Sequence, residues 1–280
     1  VSGTISAQGG PFHHPMRVGM NKGTGHYIQH DGFADFGGNR FQVGLGIGAT
    51  GTVDIHGGTF IAARGYNNHA LHIGDKGTGT FNVHGGIVRT RNGVLLGFAG
   101  GVGTFAIHGS NATEIGIGQH RSASGRWTHA SESILKILLD DNGVTPIHID
   151  NSGDSASDMG SISFADGAHL EVGFLNEEVF GEWVIMTWDD GVAVTDNGLS
   201  FVQGTALHQW SYIIDEANRE LRIVRADNPS PPNEPPTTRD ITFPVGSGKS
   251  VELDVLKYAS DTDWDPISIK SIATSPQHGT

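Results

Sequence analysis

Cysteine is absent from this 280-residue chain, so no disulfide contributes to its fold. An extracellular home stays open, because a long repeat core is stable without such staples. Cations are scarce: 17 Lys and Arg stand against 30 Asp and Glu, a formal net charge of −13. A phosphate backbone needs a Lys/Arg footprint, so nucleic acid is excluded as an expected partner. Docking on an anionic membrane is disfavoured for the same reason. There is no run of 18 apolar residues, hence no transmembrane helix and no membrane insertion is expected. The apolar stretch from Gly93 to Ile107 is broken by five glycines. Helical spacing is missing too. So are a Ser-His-Asp set, a phosphate loop and an HExxH motif. Gly44-x-Gly46-x-Gly48 is repeat glycine and not a nucleotide fingerprint, since no helix follows it.

Glycine is what the chain has in excess: 42 residues, about twice the usual share. Much of it marks a repeat. Gly51-Thr-Val-Asp-Ile-His-Gly-Gly58 recurs as Gly79-Thr-Phe-Asn-Val-His-Gly-Gly86 and as Gly103-Thr-Phe-Ala-Ile-His-Gly-Ser110. Weaker copies begin at Gly3 and Gly25, so the steps are 22, 26, 28 and 24 residues. Each strong copy follows a short apolar run ending in glycine: Leu45-Gly-Ile-Gly48, Leu71-His-Ile-Gly74 and Val94-Leu-Leu-Gly97. Within a copy the pattern alternates. Val53 and Ile55 point one way, and Thr52, Asp54 and His56 the other, which is a half-buried strand. The preceding run is a second strand, and Phe60-Ile61 or Ile87-Val88 begins a third. Two to three strands per 22 to 28 residues describe one coil of a parallel β-helix. A propeller blade needs four strands and about 40 residues.

Stacked coils place like residues roughly 4.8 Å apart. The outward position before the glycine pair reads Gln8, His30, His56, His84, His108. Two residues earlier it reads Ser6, Ile28, Asp54, Asn82, Ala106, and two earlier still Thr4, His26, Thr52, Thr80, Thr104. One face is expected to carry a ladder of histidines beside a ladder of threonines. Gln29 falls at an inward position, in the least regular coil.

The predicted fold class is all-β. Residues 1–129 form the parallel β-helix, and residues 130–226 are an irregular β-rich continuation that caps it. A Pro-rich linker spans 227–239, and a partial immunoglobulin-like β-sandwich module spans 240–280. The chain opens on Val1 and stops inside a strand pattern, so a piece of a longer mature polypeptide is expected.

The glycine motifs from 43 to 150 resemble the bacterial surface repeats of the autotransporter-associated type. Asp141-Asn-Gly-Val-Thr-Pro146 looks like the region that follows such repeats. His stands where that pattern usually has Ser or Thr. Residues 240 to 280 resemble the start of a cadherin-like, immunoglobulin-type module, on Val251-Glu-Leu-Asp-Val-Leu256, Asp261-Thr-Asp263, Ile267-Ser-Ile269 and His278-Gly-Thr280. The resemblance implies a large, multidomain protein, secreted or on the bacterial cell surface.

Three groups of residues are candidates for function. The ladder His30, His56, His84, His108 offers imidazoles to Zn, Cu or Ni. The plainer reading is a solvent face of imidazoles and hydroxyls bonded to one another. A platform for glycan or protein is the third. The second group is a basic strip. His13, His14, Asn68, His69, Arg91 and Asn92 are expected near one another, with Arg40, Arg64 and Arg89 beside them. It would suit an acidic polysaccharide, and it holds the parts of a lyase: Arg64 to neutralise a uronate carboxylate, Tyr66 or His69 to move a proton. The third is Asp261, Asp263 and Asp265, whose alternating carboxylates suit calcium at a module junction or simply make an acidic turn. Two functions follow. One is a structural or adhesive module that contacts glycans or copies of itself. The other is a lyase on acidic polysaccharide.

Overall fold

The computed structural model describes residues 5–6, 16–36, 40–62, 70–118, 124–151, 159–202, 210–226, 237–238 and 259–260. The secondary structure among them is all strand. In chain order the strands are β1 (Ile5–Ser6), β2 (Met16–Met20) and β3 (Thr24–Gln29), then β4 (Phe33–Asp35), β5 (Phe41–Leu45) and β6 (Thr50–Ile55). Next come β7 (Thr59–Ala62), β8 (Leu71–Asp75) and β9 (Thr78–Val83), then β10 (Gly86–Thr90), β11 (Gly93–Phe98) and β12 (Val102–His108). β13 (Ala112–Ile117), β14 (Arg126–His129) and β15 (Ile134–Leu139) follow, with β16 (Ile147–Ile149), β17 (Ser161–Phe164) and β18 (His169–Phe174). The series ends with β19 (Gly181–Trp188), β20 (Ala193–Asp196), β21 (Ser200–Phe201), β22 (Trp210–Asp215), β23 (Glu220–Arg225), β24 (Thr237–Thr238) and β25 (Ala259–Ser260).

Every third strand joins the same sheet. Sheet A runs β1-β4-β7-β10-β13-β16-β19, sheet B β2-β5-β8-β11-β14-β17-β20, and sheet C β3-β6-β9-β12-β15-β18-β21. Pairing within these runs is parallel. The architecture is therefore a three-sided parallel β-solenoid, with one strand per side in each coil. The antiparallel hairpin β22–β23 pairs with β19 and closes sheet A at its far end. Past residue 129, where the sequence predicts an irregular β-rich continuation, β15 to β21 continue the same three sheets.

The core is a set of inward columns. Tyr27, Val53, Phe81, Phe105, Leu135 and Leu170 share one register in sheet C, and Gln29, Ile55, Val83, Ile107, Ile137 and Val172 share the next. Val53, Phe81, Leu135 and Leu170 are fully buried. Phe81 stacks on Phe105 at 5.5 Å and meets Phe60 edge-on at 5.3 Å. Truncating Phe81 removes the centre of this aromatic file. Phe81→Ala is expected to cost about 3–5 kcal/mol, read as a lower denaturant midpoint. Gln29 is inward and buried, as its position in the repeat implies. Its amide donates to the carbonyls of Gly57 and Thr59, and its oxygen accepts from the Tyr27 hydroxyl.

One rung differs from expectation. Ile5–Ser6 pairs with Ala34–Asp35 in sheet A, and not with β3. Each coil runs A, B, C, so a strand before the first B strand takes the A position. The outward columns of sheet C thus begin at β3, and Thr4 and Gln8 lie outside the described residues.

The corner between sheets B and C explains the glycine of each apolar run and the glycine that opens each motif. Gly44 has φ +70°, a left-handed conformation that favours glycine. A Cβ there would sit 2.1 Å from the Thr78 carbonyl oxygen. Across the same corner, a Cβ on Gly79 would meet the Gly74 amide nitrogen at 2.4 Å. Backbone packs directly on backbone, which keeps the coil cross-section small. β24 and β25 pair antiparallel. The immunoglobulin-type module expected around them lies outside the described residues, as do Asp261, Asp263 and Asp265. No helix among the described residues is long and apolar enough to cross a membrane.

Candidate binding face

The outer side of sheet C is a grid set by strand register. One column is His26, Thr52, Thr80, Thr104; the next is Ile28, Asp54, Asn82, Ala106, Lys136, Glu171. The third is the histidine ladder at the strand ends. His30 and His56 stack at 5.1 Å, His56 and His84 at 4.5 Å, and His84 and His108 approach to 3.9 Å with a tilt of 37°. Backbone bonds hold the rungs, with His56 N–H donating to the Gln29 carbonyl and His84 N–H to the Ile55 carbonyl. His30 and His56 are exposed; His84 and His108 are half-buried. The sequence spacing thus brings these four rings together.

Asp54 ties the columns to one another. One oxygen meets His26 Nε2 at 2.5 Å, and the other accepts from Asn82 Nδ2 at 2.7 Å with His84 Nε2 at 3.6 Å. Burial pushes the Asp54 carboxyl up, but the bonds from His26 and Asn82 and the charge of His26 outweigh it and leave the group below its ordinary range. Burial pushes the His108 imidazole down to about 4, with the charges of His84 and Lys136 adding to the effect. Among the described residues no three His, Asp or Glu side chains are arranged to hold a metal ion. Rings stacked in parallel point their nitrogens alongside one another, and not at a common centre.

The expected basic strip takes a different form. Arg89 lies in β10 and makes a two-pronged ion pair with Glu114, at 2.9 and 2.5 Å. Arg91 and Asn92 form the link from β10 to β11, and Arg91 reaches Asp35 at 2.8 Å, two rungs away. Arg40 immediately precedes β5 in sheet B, on a different side from Arg89. Arg89 and Arg91 are therefore each closed on a carboxylate of this chain. His13, His14, Arg64, Tyr66, Asn68 and His69 lie outside the described residues.

No family model matches the chain, and neither does any curated protein or solved structure. What the structure supports of the motif resemblance is the parallel β-solenoid itself.

Two polar constellations escaped the sequence reading. On the outer side of sheet B, Gln42, His72 and Asp75 are buried together, with Gln42 Nε2 donating to Asp75 at 3.0 Å. The signal was available, since Gln42 and His72 occupy outward positions of consecutive B strands. Inside the coil, His129 is wholly buried between Trp127 and Phe164. Its Nε2–H donates to the Ser133 carbonyl at 2.8 Å, which leaves Nδ1 as a bare acceptor. Burial pushes this imidazole down to about 4, and the Ser133 bond offsets only part of that. An inward histidine in an Arg-Trp-Thr-His alternation reads as outward only if the register is taken from the C strands.

Proposed function

We propose that this chain is a rigid structural and adhesive module of a larger exported bacterial protein, extracellular or on the cell surface. Its exposed columns contact glycans or further copies of itself. The observation that supports the reading best is the parallel stacking of all three sheets from coil to coil, broken by one bulge at Gly86/Ile87 in sheet A. Such stacking gives every outward side chain a repeat of roughly 4.8 Å along the axis. A periodic face suits a periodic partner, whether a polysaccharide or another solenoid. The polar side chains of these faces also bond from rung to rung, as Lys136 does to Glu171 at 2.6 Å and Asn82 to Asp54 at 2.7 Å. Those links stiffen a scaffold. The resemblance of the glycine motifs to exported surface repeats supports the location.

A glycan array together with electron micrographs of the purified chain tests this. Selective glycan binding or ordered assemblies are the expected result. A protein that does neither, and instead releases unsaturated ends from uronate polymers, would overturn the proposal in favour of a lyase.

A further inference from the structure

The histidine column sits on an acidic protein and is ringed by carboxylates that are already engaged. Asp54 accepts from His26 and Asn82. Asp140, beyond the His108 end, accepts from the Ser110 amide and hydroxyl and from the Asn142 amide. Asp31, next to His30, accepts from the Gly32 amide at 2.7 Å. Glu171 is taken by Lys136 at 2.6 Å. Lys136 and His26 stand on the same face, each against one of these carboxylates, and His169 stands further along the column of His26 and the threonines, near the Ser200 hydroxyl.

Stacked imidazoles 4 to 5 Å apart are compatible while neutral. Positive charges placed in such a file repel one another. Asp54 also stands 3.6 Å from His84 Nε2, whereas among the described residues His30 and His56, the exposed rungs, face no carboxylate as an ion-pair partner. An outside anion therefore gains what the fold does not supply. We propose that the His30–His56–His84–His108 column is an acid-gated docking strip for an anionic polysaccharide laid along the solenoid axis. This rests on the glycan-binding reading above and names the class of glycan.

Geometry favours a linear polymer over a compact anion. The donors form a straight file along the stacking direction, with the threonine hydroxyls of Thr52, Thr80 and Thr104 running parallel to it. Protonated rings attract carboxylates or sulfates; the hydroxyls bond sugar hydroxyls. His30 and His56, the exposed rungs, meet solvent protons and ligand first. His108, held near 4 chiefly by burial, stays neutral through the window and serves as the fixed end of the file. Linkage makes the effect reciprocal: protons tighten the polymer, and the polymer draws in protons.

The test is binding of polygalacturonate by the full chain at pH 5 and pH 7.5, with its methyl-esterified form as the uncharged counterpart. Roughly tenfold to hundredfold tighter binding of the charged polymer is expected at pH 5, weakening as salt is added. The triple variant His30→Gln, His56→Gln, His84→Gln should lose the pH dependence. His56→Lys should bind at both pH values. Equal affinity at the two pH values, or an unaltered pH dependence in the triple variant, overturns the proposal. So does loss of the strand signal in circular dichroism at pH 5. Binding of the methyl ester as tightly as the acid, at either pH, overturns the acid gate while leaving a glycan-binding module standing. No binding of any glycan and no assembly removes both.

Discussion

Gly79→Ala lowers the stability of the solenoid by about 3 kcal/mol or more, a loss out of proportion to one methyl group. The added Cβ would lie 2.4 Å from the amide nitrogen of Gly74 and 2.5 Å from the carbonyl oxygen of Val43. Both obstacles are backbone, and both belong to strands paired on each side, so neither moves without disturbing its neighbours. At this chain length the loss lowers the melting midpoint by roughly 6–12 °C. Gly100→Ala separates steric from conformational causes. Gly100 has φ +84° but open space beyond 4 Å, so its alanine variant carries left-handed strain alone. That is worth about 1 kcal/mol. Equal melting of the two variants would show that the corner between sheets B and C is not closely packed.

The same corner shows why so much of the fold was legible. Period-two alternation fixes which side chains face inward, and the glycine pairs fix where each strand ends. Together they set the register, so Val53 over Phe81 over Phe105, and His56 beside His84, follow from the letters alone. The strands that were not read lie where those markers stop. β18 alternates Leu170 and Val172 inward, but it lacks the opening Gly-Thr and the closing His-Gly-Gly. β20 and β21 are four and two residues long. They hold their places through β17 and β18, not through any pattern of their own.

The binding face divides along the same line. Columns are local repeats seen side by side, so the histidine ladder could be written down in advance. Ion pairs depend on which turns face one another. Arg91 finds Asp35 across 56 residues, and Arg89 finds Glu114 across 25. No periodicity links those positions. Of the expected strip, Arg89 and Arg91 are closed on carboxylates, and Arg40 stands apart in sheet B. The sheet of imidazoles and hydroxyls, by contrast, keeps its exposed rungs His30 and His56 open to solvent.

His129 makes the whole solenoid acid-sensitive from within, separately from the outer ladder. Its imidazole ordinarily titrates near 6.5, and burial in the core pushes it down to about 4. Between those values the unfolded chain takes a proton that the folded chain refuses. Stability therefore falls as pH drops from 6.5 towards 4, and is fully present above 6.5. A shift of that size corresponds to about 3 kcal/mol. Replacing the ring by a hydrocarbon of similar bulk removes the proton site at little cost. The Ser133 carbonyl, which loses the His129 donor, keeps its backbone bond from the His169 amide at 2.9 Å. Denaturant midpoints of His129→Leu should accordingly change little from pH 7 to pH 5, while those of the native chain decline. The slope that survives belongs first to His108, which is also pushed to about 4 but is only half-buried, so solvent screening shrinks its share. Asp54 and Asp140, held below the ordinary carboxylate range, give up their contribution only at still lower pH. An identical acid decline in the native chain and in His129→Leu would mean that the buried imidazole is not the group that titrates.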